Sequence, residues 1–220
     1  MAITTKENQK LYIYFLKIIA IYMVLFNHTG NAGFVLFTVA HDSKSYAFYL
    51  FNAILIKIAV PLFFMTSGAL LLGKDESLKH LLQKRFLKYV VILFVGSAIS
   101  YLYSSLRQHS APLSITYFFK TLYTSRLANA YWYLYTYLAY ILTLPLLRRL
   151  ARAMTNKEYW WMIVLHGLIN SLSIIEFLIW KGSASHNGSF SLFITTNYIF
   201  YPLTGYFIDQ RLRKEQFTKT

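Results

Sequence analysis

The stretch "LYIYFLKIIAIYMVLFNH", residues 11–28, decides the class of fold because it is apolar along almost its whole length. A helix needs about 20 such residues to cross the hydrocarbon core of a bilayer. Comparable segments recur at about 47–72, 86–106, 130–147, 159–180 and 190–208. We therefore predict an all-α protein, a polytopic transmembrane helix bundle with about six spanning helices.

The composition of the whole chain is typical of a membrane protein. Of its 220 residues, 56% are hydrophobic, 19% are aromatic and only 14% are charged, whereas about a quarter of the residues in soluble domains are charged. The chain contains no cysteine, which excludes disulfides and thiolate metal sites. It also contains no glycine-rich phosphate loop and no HExxH helix. We therefore expect no metal cofactor.

The net charge of +14 follows the predicted topology. If the amino terminus is cytoplasmic, roughly two-thirds of the 22 Lys and Arg residues fall in inner loops and ends, and about a quarter fall in outer loops. This asymmetry is the one that orients membrane proteins. We therefore predict that both termini are cytoplasmic. We also predict a multi-pass protein of the cell membrane, with the lipid bilayer as its partner and without nucleic-acid binding.

Two ionisable residues of the first apolar stretch, Lys17 and His28, are predicted to share one face of a helix. Their separation corresponds to about 20° beyond three full turns and to about 16 Å along the helix axis. Ionisable residues within membrane spans are candidates for function. The alternatives are that Lys17 reaches back to the inner headgroups and that His28 is an interfacial residue at the helix end.

Four further motifs follow in order along the chain. The segment "VPLFFMTSGALLLGK" (60–74) contains a Ser-Gly pair, and "LLQKRFLKY" (81–89) contains Arg85-x-x-Lys88. The segment "YWYLYTYLAYILTLPLL" (131–147) runs from aromatic residues to a proline, and "YIFYPLTGYFID" (198–209) contains a glycine. With the basic-X10-His pair of the first helix, these motifs resemble the acyltransferase 3 family of integral membrane acyltransferases.

Three positions depart from the usual pattern of that family. Lys17 and Lys88 stand where Arg is usual, and Ala130 stands where many members have His before the Trp. The family also usually has more membrane helices than the six predicted here. We therefore expect residues 1–220 to form a single membrane-embedded acyltransferase-like domain that lacks the family's last helices.

The resemblance implies an enzyme, a membrane O-acetyltransferase. Such an enzyme moves an acyl group, most often acetyl, from cytoplasmic acyl-CoA to a hydroxyl group of a cell-surface glycan. In this chain Lys17, Arg85 and Lys88 would bind the phosphates of acetyl-CoA. Ser67 would line the thioester pocket, unless it is only a small residue for helix packing. His28 would act as the general base or would briefly carry the acyl group.

Two more residues are candidates for the site. A carboxylate often orients a catalytic histidine, and Glu176 is the acid nearest the middle of a predicted span, so we predict that it pairs with His28. Alternatively, Glu176 pairs with Lys57 or Lys181, or reaches the outer water. Trp132 either binds the acceptor substrate or belongs to the aromatic belt at the membrane interface.

Two other functions compete with the enzyme. The chain could be a partner in polysaccharide export or transport, with Lys17, Lys57 and Glu176 lining a polar route, or it could be an inactive, truncated member of the family. A pore has no need for the spacing of the basic-X10-His pair. That spacing therefore favours the acyltransferase.

Overall fold

The computed structural model describes residues 5–30, 33–40, 42–108, 111–124, 131–181 and 197–212. These residues form helices and turns and contain no strand, which confirms the predicted all-α class. The helices are α1 (Thr5–Asn27), α2 (Ser43–Ile56), α3 (Ala59–Leu71), α4 (Leu78–His80), α5 (Leu87–Leu106), α6 (Ile115–Tyr123), α7 (Trp132–Ala153), α8 (Asn156–Trp180) and α9 (Asn197–Phe207). Two π-helical segments, Leu81–Phe86 and Ile208–Leu212, follow α4 and α9.

The chain divides into two compact units. The first unit combines Met1–Gly73 with Leu150–Thr220, and the second unit is Lys74–Arg149. In the first unit α1, α3, α8 and α9 pack together. The second unit contains α4 to α7 up to Arg149. The prediction of a single domain over residues 1–220 stays a prediction.

Three stretches of helix in the described part of the chain are long and apolar enough to cross a membrane. They are Ser43–Leu71, Leu78–Leu106 and Asn156–Trp180, and they contain most or all of the predicted spans 47–72, 86–106 and 159–180. The apolar part of α1, Leu11–Asn27, is shorter than such a span. The arginines at the end of α7 shorten its apolar stretch. Residues 190–196 of the sixth predicted span lie outside the described residues, as do both chain ends.

A proline explains why α2 and α3 are separate helices within one long apolar stretch. Pro61 has no N–H and so cannot bond to the carbonyl group of Lys57, four residues earlier. Around that position the backbone N–H groups of Lys57 and Ile58 bond three residues back, to Ile54 and Leu55, at 3.1 Å each. The break at Lys57 and Ile58 is therefore a local change in backbone hydrogen bonding.

Glycines bring α3 and α9 into backbone contact. A Cβ atom on Gly68 would lie 2.5 Å from the carbonyl carbon of Pro202 and closer still to its oxygen. A Cβ atom on Gly205 would lie 2.5 Å from the carbonyl carbon of Met65. Small residues allow this approach, which is the usual way in which membrane helices associate. The contact fixes the position of α3, which carries Ser67.

A hydrogen bond ties the start of α1 to the segment that follows α9. The hydroxyl group of Tyr12 donates to Oδ1 of Asp209, at 2.5 Å. Asp209 is 9% exposed and lies in the second π-helical segment. Since α1 and α9 both pack on α3, this bond closes the three-helix core of the first unit.

Candidate functional site

The structure places Lys17 on the face of α1 that packs against other helices. Ile13, one turn before it, is 3% exposed, and Ala20, one turn after it, is fully buried. The opposite face carries exposed apolar side chains such as Ile18 and Tyr22. Lys17 itself is partly buried. It therefore faces the bundle, not the apolar surface of the helix.

His28 lies just beyond the carboxyl-terminal end of α1, with an exposed side chain. Its backbone N–H donates to the carbonyl oxygens of Val24 at 3.2 Å and of Leu25 at 3.1 Å, so the helical geometry continues through the residue. The imidazole ring forms no hydrogen bond within the part of the chain that the structure describes. An accessible imidazole can accept a proton from a substrate hydroxyl group.

Lys57 lies beside the end of α1, next to the residue that precedes His28. Its Nζ atom donates to Oδ1 of Asn27 at 3.4 Å and lies 4.2 Å from the centroid of the Phe34 ring. The alternative in which Lys57 pairs with Glu176 is therefore not what the structure shows. Sequence analysis did not place Lys57 near His28, because the contact depends on the break between α2 and α3.

Glu176 is buried in α8, with 8% of its surface exposed. No hydrogen bond joins its carboxylate to His28 in the residues that the structure describes. The predicted pairing of the two residues stays a prediction.

Ser67 lies inside the first unit and is 5% exposed. It directly precedes Gly68, at the backbone contact between α3 and α9. A shallow recess beside this contact is lined by apolar groups of α1, α3, α9 and the π-helical segment after α9, including Leu16, Met65 and Ile208. Its walls are almost entirely hydrocarbon. A recess of this kind suits an apolar chain and not a phosphate group.

The second unit contains a cluster of three charged residues: Glu76, Arg85 and Arg148. Nη2 of Arg85 donates to Oε1 of Glu76 at 2.5 Å, and Nε of Arg85 donates to Oε2 at 3.0 Å. Nη2 of Arg148 donates to the same Oε2 at 2.9 Å. The side chains of Arg148, Glu76 and Arg85 are 7%, 14% and 26% exposed, respectively. One carboxylate thus bridges two guanidinium groups, from a buried one to a partly exposed one.

The cluster strongly favours the charged form of Glu76. The hydrogen bond from Arg85 is the largest cause, and the bond from Arg148 adds to it; together they outweigh burial and lower the pKa of Glu76 from 4.5 to about 2. The carboxylate is therefore ionised at any physiological pH. With two arginines and one carboxylate, the cluster has a net charge of +1.

Arg85 lies in the first π-helical segment, Leu81–Phe86. Such segments are rare in proteins and occur frequently at functional sites. Lys88 follows three residues later on α5, with an exposed side chain. Arg85 and Lys88 are therefore neighbours on one side of a continuous helical stretch. Their role in donor binding stays a prediction.

Tyrosine rings pack between α5 and α7, near this cluster. The ring of Tyr89 lies 4.7 Å from that of Tyr137, which is also stacked at 5.7 Å on Tyr133 and lies 5.7 Å from Tyr140. Tyr140 is 2% exposed. These ring contacts are consistent with a role in helix packing.

Trp132 begins α7 and is 44% exposed. Its ring meets the ring of Tyr133 edge to face, with 6.2 Å between the centroids. An exposed indole can stack on a sugar ring or lie at a membrane interface. Ala130, where the family often has His, lies outside the described residues.

Sequence analysis missed Glu76 and Arg148. Glu76 follows the Ser-Gly motif in a short loop, and Arg148 lies at the basic end of α7. Neither residue belongs to a motif, and their contact joins positions that are far apart in the sequence. The described residues contain no group of three or more His, Cys, Asp or Glu that could hold a metal ion.

Comparison with known proteins identifies the family. The family described as an acyltransferase domain, Acyl_transf_3, matches residues 10–219. No curated protein and no solved structure gives a significant match. The family match covers nearly the whole chain, including the Lys17–His28 pair, the Ser-Gly motif and the Arg85 segment. The chain therefore belongs to this acyltransferase family.

Proposed function

We propose that the protein is a multi-pass membrane enzyme that transfers an acetyl group from acetyl-CoA to a hydroxyl group of a cell-surface glycan. The family match over residues 10–219 carries the proposal. The apolar helices, the basic cluster around Arg85 and the exposed imidazole of His28 are compatible with it.

The donor requires cations for its phosphate groups. The side chain of Arg85 is 26% exposed, and Lys88 is exposed on the same helical stretch. Arginine binds phosphate through a planar fork of N–H groups, and lysine binds it as a point charge. Lys17 contributes a third cation from the bundle-facing side of α1, and Ser67 lies near the thioester.

The acceptor hydroxyl requires a base. In the proposed reaction its oxygen attacks the carbonyl carbon of the thioester, and the C–S bond breaks. The proton of the hydroxyl passes to His28 and then to the sulfur atom, which leaves as the thiol of CoA. In the covalent alternative, the imidazole of His28 takes the acetyl group first and then gives it to the acceptor.

Two further residues complete the proposal. Glu176 orients or stabilises the protonated imidazole of His28, as carboxylates do in other histidine-dependent enzymes. Trp132 provides an apolar face on which a sugar ring of the acceptor stacks.

Transfer of label from radioactive acetyl-CoA tests the proposal. Membranes that contain the wild-type protein should incorporate label into cell-surface glycan. The His28→Ala variant should lose at least about a hundredfold of this activity, the usual minimum contribution of acid–base catalysis. His80→Ala is the matched control, because His80 is an exposed histidine on α4 outside the proposed site. Its activity should equal that of the wild type.

The possible negative results have different meanings. Equal labelling by the wild type and His28→Ala would reject His28 as the catalytic residue. An absence of labelling by wild-type membranes, beyond that of membranes without the protein, would reject transfer from acetyl-CoA to glycan.

A further inference from the structure

We propose that Glu76 and Arg148 are positioning residues that hold the guanidinium group of Arg85 ready for the phosphate groups of the donor. The inference rests on the proposed function, because it assumes a donor that carries phosphate. It adds two residues that no motif of the chain contains.

The contacts of the cluster run in series from the buried Arg148 through Glu76 to the partly exposed Arg85. Arg148 is buried, with 7% of its side chain exposed, and it holds Oε2 of Glu76 at 2.9 Å. Nη1 of Arg148 also lies 3.5 Å from the backbone carbonyl oxygen of Glu76. Arg148 thus holds one carboxylate oxygen and the backbone of Glu76, and the two carboxylate oxygens together engage Nε and Nη2 of Arg85. Arg85 is the most exposed of the three residues.

This arrangement leaves a defined edge of Arg85 for another ligand. The carboxylate occupies the edge formed by Nε and Nη2. In the described residues, the side chain of Arg85 forms no other hydrogen bond. A guanidinium group has five N–H donors in a fixed fork, so those on Nη1 stay available. They lie on the side of the guanidinium group away from the bound carboxylate, and 26% of the Arg85 side chain is exposed.

The charges also favour an anionic ligand at Arg85. The buried guanidinium of Arg148 needs an opposite charge, and Glu76 supplies it. The remaining charge of +1 therefore belongs to the exposed residue, Arg85. Its neighbours Lys84 and Lys88 are exposed and add positive potential.

The preorganisation of Arg85 by Glu76 predicts how loss of Glu76 changes donor binding. A free arginine side chain has many rotamers, and ordering them opposes ligand binding. The bidentate pair with Glu76 has already ordered Arg85 in the absence of a ligand. Loss of the pair should weaken donor binding by about 5- to 30-fold, the effect of ordering one arginine side chain. If Glu76 merely competed with the donor phosphate for Arg85, its removal would strengthen donor binding.

The experiment compares donor affinity in matched variants. The KM for acetyl-CoA and the inhibition constant of adenosine 3′,5′-bisphosphate, which carries phosphate but no thioester, are measured for the wild type, Glu76→Gln, Arg148→Gln and Arg85→Gln. Asp75→Asn controls for the loss of a nearby exposed carboxylate, and Arg149→Gln controls for the loss of the exposed arginine next to Arg148.

The inference predicts a specific pattern. Glu76→Gln and Arg148→Gln should raise both constants by about 5- to 30-fold while kcat changes less than about twofold, and the two controls should behave as the wild type. In the Arg85→Gln background, Glu76→Gln should have no further effect, because Glu76 acts through Arg85. A general loss of structure would not produce this dependence.

Three results would overturn the inference while the proposed function stands: unchanged or tighter donor binding by Glu76→Gln, an effect of Glu76→Gln that persists without Arg85, and equal effects of Asp75→Asn and Glu76→Gln. If Glu76→Gln does not fold, Glu76→Asp replaces it, because the shorter carboxylate cannot hold both arginines. A wild-type KM for Glu76→Asp would then reject the inference. Wild-type protein that neither uses acetyl-CoA nor binds the bisphosphate would reject the proposed function and the inference with it.

Discussion

The replacement Gly68→Ala tests the backbone contact between α3 and α9. The added Cβ atom would lie 2.5 Å from the carbonyl carbon of Pro202, whereas carbon atoms in favourable contact are about 3.5–4.0 Å apart. The two helices must therefore separate by about 1 Å. The obstacle is backbone and not the end of a flexible side chain, so it cannot rotate away.

The expected loss of stability follows from two opposing effects. Overpacking of this kind costs about 1–3 kcal/mol, and contact with backbone places the cost near 3. Alanine is a better helix former than glycine by about 0.5–1 kcal/mol, which offsets part of it. We therefore expect a net destabilisation of about 2 kcal/mol. For a chain of this size, that corresponds to a fall in Tm of about 4–8 °C.

Thermal unfolding of the purified protein in detergent, followed by tryptophan fluorescence, measures the effect. Gly205→Ala should give a similar fall from the opposite helix, because its Cβ atom would meet the backbone of Met65. Gly167→Ala is the control: it makes the same chemical change on α8, where nothing lies within 4 Å of the new atom. It should leave Tm unchanged or raise it slightly. If Gly68→Ala has the same Tm as Gly167→Ala, the reasoning is wrong.

Three other predictions concern charged residues. Because the pKa of Glu76 is lowered from 4.5 to about 2, its contribution to stability is present above about pH 4.5 and is lost as pH falls towards 2. We expect this contribution to be about 2 kcal/mol, since solvent screens the charge of the partly exposed Arg85. The difference in Tm between wild type and Glu76→Gln should therefore narrow between pH 7 and pH 3, and a constant difference would contradict this. Lys57→Met should cost about 1 kcal/mol of stability through its lost contacts with Asn27 and an aromatic ring, whereas the exposed Lys44→Met should not. Glu176→Gln should lower the rate of acetyl transfer to glycan, and undiminished transfer would reject the pairing with His28.

Periodicity along single helices was sufficient to predict several features. It predicted the helical class and the apolar segments that became α3, α5 and α8, whereas the common helix face of Lys17 and His28 stays a prediction. The structure places Lys17 between the buried residues Ile13 and Ala20, on the packed face of α1. Such features depend on neighbours within two or three turns, and the sequence of one segment contains them.

Contacts between distant segments were not predictable in the same way. Nothing near Glu76 in the sequence specifies two arginine partners, because Arg148 reaches it only after α7 has packed in the second unit. Similarly, the position of Lys57 beside Asn27 follows from the break at Pro61.

The glycine contact between α3 and α9 also imposes an order on biosynthesis. Well over one hundred residues are translated between Gly68 and Gly205. At about 5–20 residues per second, α3 exists for on the order of ten seconds before its partner helix is made. During that time its glycine face has no contact with α9. The amino-terminal half of the first unit therefore cannot reach its final packing until α9 has left the ribosome, so that the formation of α3 and its final packing are separate steps.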